Sequence, residues 1–256
     1  MKVLFIGDIV GKSGRATVKE LLPSLRSEHQ IDLVIANGEN VTHGKGINEA
    51  HYQELLSYGI DVITLGNHAF SKSEIYKYID KASRLVRPLN ILPEEVGQGY
   101  LEIEIKGSKV VVLNLCGSVF MENVVETPFN AMSRLLPEFK DKIVIVDLHA
   151  EATSEKIAFA HQFKYTCSAV LGTHTHVQTA DERLIGGCAF ISDVGMTGPY
   201  NSVIGRDITE VLDKFKGFTV KTFTVSEDKA QFCAVLLDID ESNRKARSIT
   251  RLQIRP

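Results

Sequence analysis

Short apolar runs alternate with longer amphipathic stretches along most of this chain, and that alternation restricts it to the α/β class. Runs at 2–6 (KVLFI), 32–36 (DLVIA), 61–65 (DVITL), 110–115 (VVVLNL), 143–147 (IVIVD) and 168–172 (SAVLG) predict buried strands. The segments between them, at 13–28, 48–58, 73–83, 128–139 and 153–164, predict helices, with serine caps at Ser73 and Ser154. Residues 100–115 alternate in character and turn at Lys106–Ser108, the pattern of a hairpin. Residues 230–239 and 245–254 predict two further strands. No linker, low-complexity stretch or internal repeat interrupts the chain. The expectation is a single α/β domain over residues 1–256, with one mixed sheet or two packed sheets.

Polar residues follow these strands in a consistent way. VLFI runs into Gly7-Asp8, and LVIA into Asn37-Gly38-Glu39-Asn40. VITL runs into Gly66-Asn67-His68, IVIVDL into His149, and AVL into Gly172-Thr173-His174-Thr175-His176. In open α/β sheets the carboxyl edge of the strands is where ligands bind. Taken singly, Asp8 reads as a turn or helix cap, Asn40 and Asn67 as turn residues, and His149 as a packed core histidine. Five successive strand ends carrying such groups point instead to a metal site. The donors are carboxylate, amide and imidazole, without thiolate, which suits Mn, Fe or Zn. Six to eight converging groups exceed the needs of one catalytic zinc. They suit two divalent ions about 3.5–4 Å apart, which lower the pKa of a shared water so that the hydroxide attacks phosphorus.

Composition narrows the class further. Formal net charge is -3 with both signs interleaved, so no basic nucleic-acid face and no stable nucleic-acid complex are expected. The four cysteines, Cys116, Cys167, Cys188 and Cys233, form no CxxC pair and read as buried free thiols in a reducing cytosol. No apolar run is long enough for a signal peptide or a membrane span, so a cytoplasmic protein is expected. GDIVGKSG follows a strand and precedes a helix, as a phosphate-binding P-loop does. Only three residues separate Gly7 from Gly11, however, one fewer than that loop requires.

The motifs resemble those of the calcineurin-like metallophosphoesterases, here GD at Gly7-Asp8, GNH at Gly66-Asn67-His68, His149, and GTHTH. The resemblance is closer to the YmdB-like branch, which includes 2′,3′-cyclic-nucleotide phosphodiesterases. Its blocks can be read as GDIVGKSGR, NGEN, GNH, HAEATSEK, GTHTHVQTADER and SDVGMTGPY between residues 7 and 200. The resemblance implies a four-layer α/β/β/α sandwich, two packed mixed sheets flanked by helices. It implies one metal on Asp8, Glu39, Asn40 and His176, and a second on Glu39, Asn67, His149 and His174. It makes His68 the general acid, and phosphodiesters, above all 2′,3′-cyclic nucleotides, the substrates. The wider superfamily usually has Asp-x-His in its first motif and Asp as the bridging carboxylate. Here Ile9 and Val10 follow Asp8, and the bridge falls on Glu39, changes the YmdB-like branch shares. GNH continues as Ala69-Phe70-Ser71, where relatives commonly carry Thr-Trp-Asp.

Other residues are weaker candidates. His29, His51 and His161 read as solvated or packed, and His43 and Lys45 as loop residues within reach of a phosphate. Residues 192–202 read as a substrate-side loop with Gly195 and Gly198 allowing close approach, and Tyr200 as a stacking or core residue. Two other readings stay open: a phosphomonoesterase such as a 5′-nucleotidase, and a regulator acting through partner binding. The partner expected is a small phosphodiester or nucleotide, with a homo-oligomer allowed and no membrane.

Overall fold

The computed structural model describes residues 1–256. Along the chain run β1 (Lys2–Ile6), β2 (Asp8–Ile9), α1 (Gly11–Glu28), β3 (Leu33–Asn37), α2 (Glu49–Ser57), β4 (Val62–Thr64), β5 (Leu85–Val86) and β6 (Tyr100–Ile105). There follow β7 (Ser108–Cys116), α3 (Pro128–Leu135), β8 (Ile143–His149), α4 (Thr153–Phe163), β9 (Ala169–Thr173), β10 (Arg183–Ile185) and β11 (Cys188–Ile191). The chain closes with β12 (Met196–Pro199), α5 (Ile208–Phe215), β13 (Ala230–Asp240) and β14 (Lys245–Ile254).

Two mixed sheets result. One has the order β2-β12-β13-β1-β3-β4-β5, with β14 also paired to β13, and the other is β10-β11-β9-β8-β7-β6. Alternation along each strand sorts side chains between layers. Val3, Phe5, Leu33 and Ile35 face Val110, Val112, Ile143 and Ile145 between the sheets. Leu4, Ile6, Val34 and Ala36 turn the other way, onto Val18, Leu22 and Leu25 of α1 and Leu55 of α2. On the far side Val111, Leu113, Val144 and Val146 meet Met132 and Leu135 of α3 and Phe159 and Phe163 of α4. This is the four-layer α/β/β/α arrangement. No helix is long and apolar enough to cross a membrane.

Several local expectations are corrected. Residues 73–83 form two 3₁₀ turns, Ser73–Lys77 and Ile79–Lys81, and not an α-helix. Their buried residues recur in steps of three, Ile75 to Tyr78 and Ile79 to Ala82, which suits three residues per turn. Ser73 and Ser154 are not caps. The cap positions fall on Lys72 and Ala152, neither of which makes a side-chain cap bond. The predicted helix over 128–139 stops at Leu135. Asn37 and His149 are the last residues of their strands and do not lie beyond them. Strands β2, β5 and β10–β12, and helix α5, are additional elements.

A buried polar knot joins the two sheets at their carboxyl edge. Thr64 Oγ1 (2.5 Å) and Asn37 Nδ2 (3.0 Å) donate to Asp147 Oδ2, and Thr173 Oγ1 donates to Asp147 Oδ1 at 2.7 Å. Thr64 and Asn37 belong to the first sheet, while Asp147 and Thr173 belong to the second. Burial raises the Asp147 carboxyl above its usual range. Its hydrogen bonds pull the other way and fix the edge on which the site is built.

Candidate metal centre

Glu39 lies at the centre of the site and is 1% exposed. Its Oε2 accepts from the His68 backbone N–H at 3.0 Å, and its Oε1 lies 3.3 Å from His149 Nε2. That convergence needs Gly66: a Cβ there would lie 2.3 Å from Glu39 Oε2 and 2.4 Å from His149 Nε2. The glycine of GNH is therefore a steric requirement of the site itself.

The expected site residues are brought together in two groups that meet at Glu39. On one side His149 Nε2 lies 3.0 Å from Asn67 Oδ1 and 3.1 Å from His174 Nδ1. Glu39, His149 and His174 each offer a donor atom within 4.8 Å of the others. On the other side the Asn40 amide lies 3.0 Å from Glu39 Oε1 and 3.2 Å from His176 Nε2. Asp8 Oδ1 is 3.9 Å from His176 Nε2. His68 lines the same cleft, of about 270 Å³, and its ring makes no hydrogen bond within the protein. A larger cleft of about 460 Å³, lined by Lys140, Lys142, Tyr165 and Arg244, contains no histidine and lacks this chemistry.

Three observations fit divalent cations to these residues. Asp8 Oδ1 is fully buried and has no hydrogen-bond partner. Neither Asp8 nor Glu39 is paired with a lysine or arginine, so two buried carboxylates face only imidazole and amide groups. Each of the three histidines also has its second ring nitrogen held by an acceptor. His149 Nδ1 lies 2.9 Å from Thr173 Oγ1, His174 Nε2 lies 3.0 Å from Glu151, and His176 Nδ1 donates to Ile204 O at 2.9 Å. Such contacts on the rear nitrogen orient metal-ligating imidazoles.

The electrostatics follow from this crowding. Burial pushes the Asp8 carboxyl up to about 7. Burial would also raise Glu39, but His149 beside it holds that carboxyl below the usual range. Burial works to lower His149, and Glu39 outweighs it, bringing the ring up to about 9. Burial, with cationic His149 nearby, drives His174 down to about 3. Burial lowers His68, with Glu39 opposing and Lys45 reinforcing the shift.

The His-x-His pair is not a strand pair. β9 ends at Thr173, and His174 (φ 101°) and His176 (φ 66°) both have left-handed backbone. Such conformations cost about 1–3 kcal/mol each and persist only where the surroundings impose them. Here Asp193 does so. Its Oδ2 accepts from the Thr175 N–H and hydroxyl at 2.9 and 2.8 Å and from buried Lys156 Nζ at 3.2 Å. Lys156 Nζ also donates to Thr173 O at 2.9 Å.

The sequence reading missed Glu151, Asp193, Ile204 and Arg206 at this site. The first follows His149 by two residues inside HAEATSEK, and Asp193 stands in SDVGMTGPY, so both had a local signal. Ile204 and Arg206 had none. Residues 192–202 are not a substrate-side loop. Met196–Pro199 form buried β12 beside β2, and Cβ atoms on Gly195 and Gly198 would strike Gln178 and Val10. Exposed Tyr200 lies under Arg255 and does not line the cleft. His51 is hydrogen-bonded to Thr42 Oγ1, while His43 and Lys45 are exposed.

Glu151 gives a test of this geometry. Its ion pair with His174 is half in solvent and by itself contributes little to stability. Its orienting effect should nonetheless be measurable. Glu151→Gln is expected to weaken metal binding by roughly 10–100-fold with the fold intact. Calorimetric metal titration checks this, and an unchanged affinity would leave the contact without an orienting role.

Residues 4–252 match the family described as YmdB-like protein. The chain is 42% identical over 257 residues to the 2′,3′-cyclic-nucleotide 2′-phosphodiesterase of Bacillus subtilis (strain 168), covering 99% of this chain and 97% of that one. It superposes on the crystal structure of a phosphatase of Mycoplasma pneumoniae with a TM-score of 0.94 at 40% identity, covering 99% of this chain and 93% of that one. A hypothetical protein of Thermus thermophilus superposes with a TM-score of 0.92 at 41% identity, over 99% of both chains.

Proposed function

The chain belongs to the YmdB-like family of phosphoesterases, and from that membership we propose that it is a two-metal phosphodiesterase acting on 2′,3′-cyclic nucleotides. The observation that carries the metal part is the orientation of the three histidines. His149 turns one nitrogen toward Glu39 and Asn67, His174 toward His149, and His176 toward Asn40 and Asp8, and each has the other held from behind. Asp8, Glu39, Asn40 and His176 would hold one cation, and Glu39, Asn67, His149 and His174 the other. The pair supplies Lewis-acid charge that activates water and neutralises phosphoryl oxygens. Iron, manganese and zinc all suit the donor set.

The remaining steps fall to the chain's own groups. Glu39, fixed by the His68 N–H, contributes to both ligand sets. The free ring of His68 faces the cleft and protonates the leaving oxygen. An anionic phosphate beside it works in the same sense as Glu39 and favours the protonated ring. Asn40 and Asn67 bring neutral donors, which limits the negative charge an incoming phosphate must meet.

Ester class is the direct test. Metal-depleted protein reloaded with Mn²⁺ is assayed on 2′,3′-cyclic AMP, 3′,5′-cyclic AMP, bis-p-nitrophenyl phosphate and 5′-AMP. The expected result is a higher kcat/KM on 2′,3′-cyclic AMP than on 5′-AMP, with no turnover in the metal-depleted protein. A clear preference for 5′-AMP would replace this reading with a nucleotidase.

A further inference from the structure

One cation in the cleft is in no direct ion pair, the nearby Glu210 acting on it only at longer range. Arg206 lines that cleft beside His68 and Glu39, and forms no ion pair with any carboxylate. Its single side-chain hydrogen bond runs from Nη2 to Gly44 O at 2.5 Å, leaving the other N–H donors of the guanidinium uncommitted. That anchor is tight, since a Cβ on Gly44 would lie 2.5 Å from Nη1. A half-buried guanidinium with spare donors is a fork for a phosphate or carboxylate.

The backbone holds this fork at the site. Val203 and Arg206 exchange backbone hydrogen bonds of 3.0 and 2.9 Å across a two-residue turn. Both turn residues have positive φ, Ile204 at 46° and Gly205 at 96°. That conformation is unfavourable for a β-branched residue. It presents Ile204 O to His176 Nδ1 and Arg206 to the cleft, so the turn is tied directly to a proposed metal ligand.

The cleft lining carries both signs of charge. Glu151 is occupied with His174. Arg206 lines the same cleft as His68 and is not committed to a carboxylate there. His68 is the proposed donor to the leaving oxygen, and Arg206 shares its cleft, within reach of a leaving alcohol bound there. No Phe or Tyr side chain lines the cleft, and Phe70 stacks on Tyr76 at 5.4 Å. Charge is therefore the recognition that Arg206 offers here.

We infer that Arg206 forms an anion subsite that selects phosphodiesters whose leaving sugar carries a second phosphate. The inference rests on the phosphodiesterase reading above and deepens it. The matched probes are adenosine 2′,3′-cyclic phosphate and the same compound bearing a 5′-phosphate. The native protein is expected to prefer the 5′-phosphorylated compound by about 10–100-fold in kcat/KM, the range of a hydrogen bond between charged groups, mainly through KM. Arg206→Gln should bring the preference close to one, and Arg206→Lys should restore part of it. Binding of both compounds to metal-free protein, followed by calorimetry, gives a readout independent of turnover and should show the same dependence on Arg206. No turnover of either compound, with the Arg206-dependent binding preference intact, would overturn the phosphodiesterase reading alone. A native preference near one in both measurements, or a preference that survives in Arg206→Gln, would overturn the subsite.

Discussion

Glu39→Gln is expected to abolish nearly all activity while leaving the fold intact. Glu39 is the one carboxylate placed between both groups of donors, with Oε1 beside His149 and the Asn40 amide. The substitution removes a negative charge from a cluster whose other buried carboxylate is Asp8. Both water activation and neutralisation of the phosphate depend on the cations, so turnover should fall by several orders of magnitude. The strands around it bury apolar surface on both faces, which the substitution does not touch. Elemental analysis with circular dichroism is the measurement. A variant that keeps two metals per chain and normal turnover would remove Glu39 from its bridging role.

His68→Ala separates proton donation from metal binding. His68 contributes its backbone N–H to Glu39, which alanine retains, while its ring is free in the cleft. Metal content should therefore be preserved. General acid catalysis is worth about 10²–10⁴-fold, and a loss in that range is expected for esters with a poor leaving group such as a ribose hydroxyl. Hydrolysis of bis-p-nitrophenyl phosphate, whose leaving group needs little protonation, should suffer much less. Equal losses on both esters, or lost metal, would instead make His68 a phosphate-binding or metal-binding group.

The α/β class and most of the site were legible in the sequence because both rest on local pattern, whereas the four-layer arrangement was implied by the family resemblance alone. Alternation in KVLFI and IVIVD places side chains on opposite faces whatever the strand pairs with. Asp8, Glu39, Asn40, Asn67, His149, His174 and His176 each follow or end such a run, so their clustering required that parallel strands bring their carboxyl ends together and that the two sheets meet at that edge. The 3₁₀ turns over 73–81 were missed because apolar steps of three and four residues also suit an α-helix.

What only the tertiary structure decided depends on residues far apart in the chain. β13 lies between β12 and β1, so a segment beyond residue 229 completes the sheet begun at residue 2. The left-handed backbone at His174 and His176 is imposed by Asp193 and Lys156, and their strand-like sequence carries no trace of it. Asp147 read as the polar end of a strand, yet it ties the two sheets together through Asn37 and Thr64. Arg206 belongs to no motif and reaches the cleft through a strained turn and a carbonyl 162 residues away in sequence. Periodicity reports which face of an element is buried. It carries no information on which distant backbone will accept a hydrogen bond, and those long-range contacts determine where an unpaired charge lies.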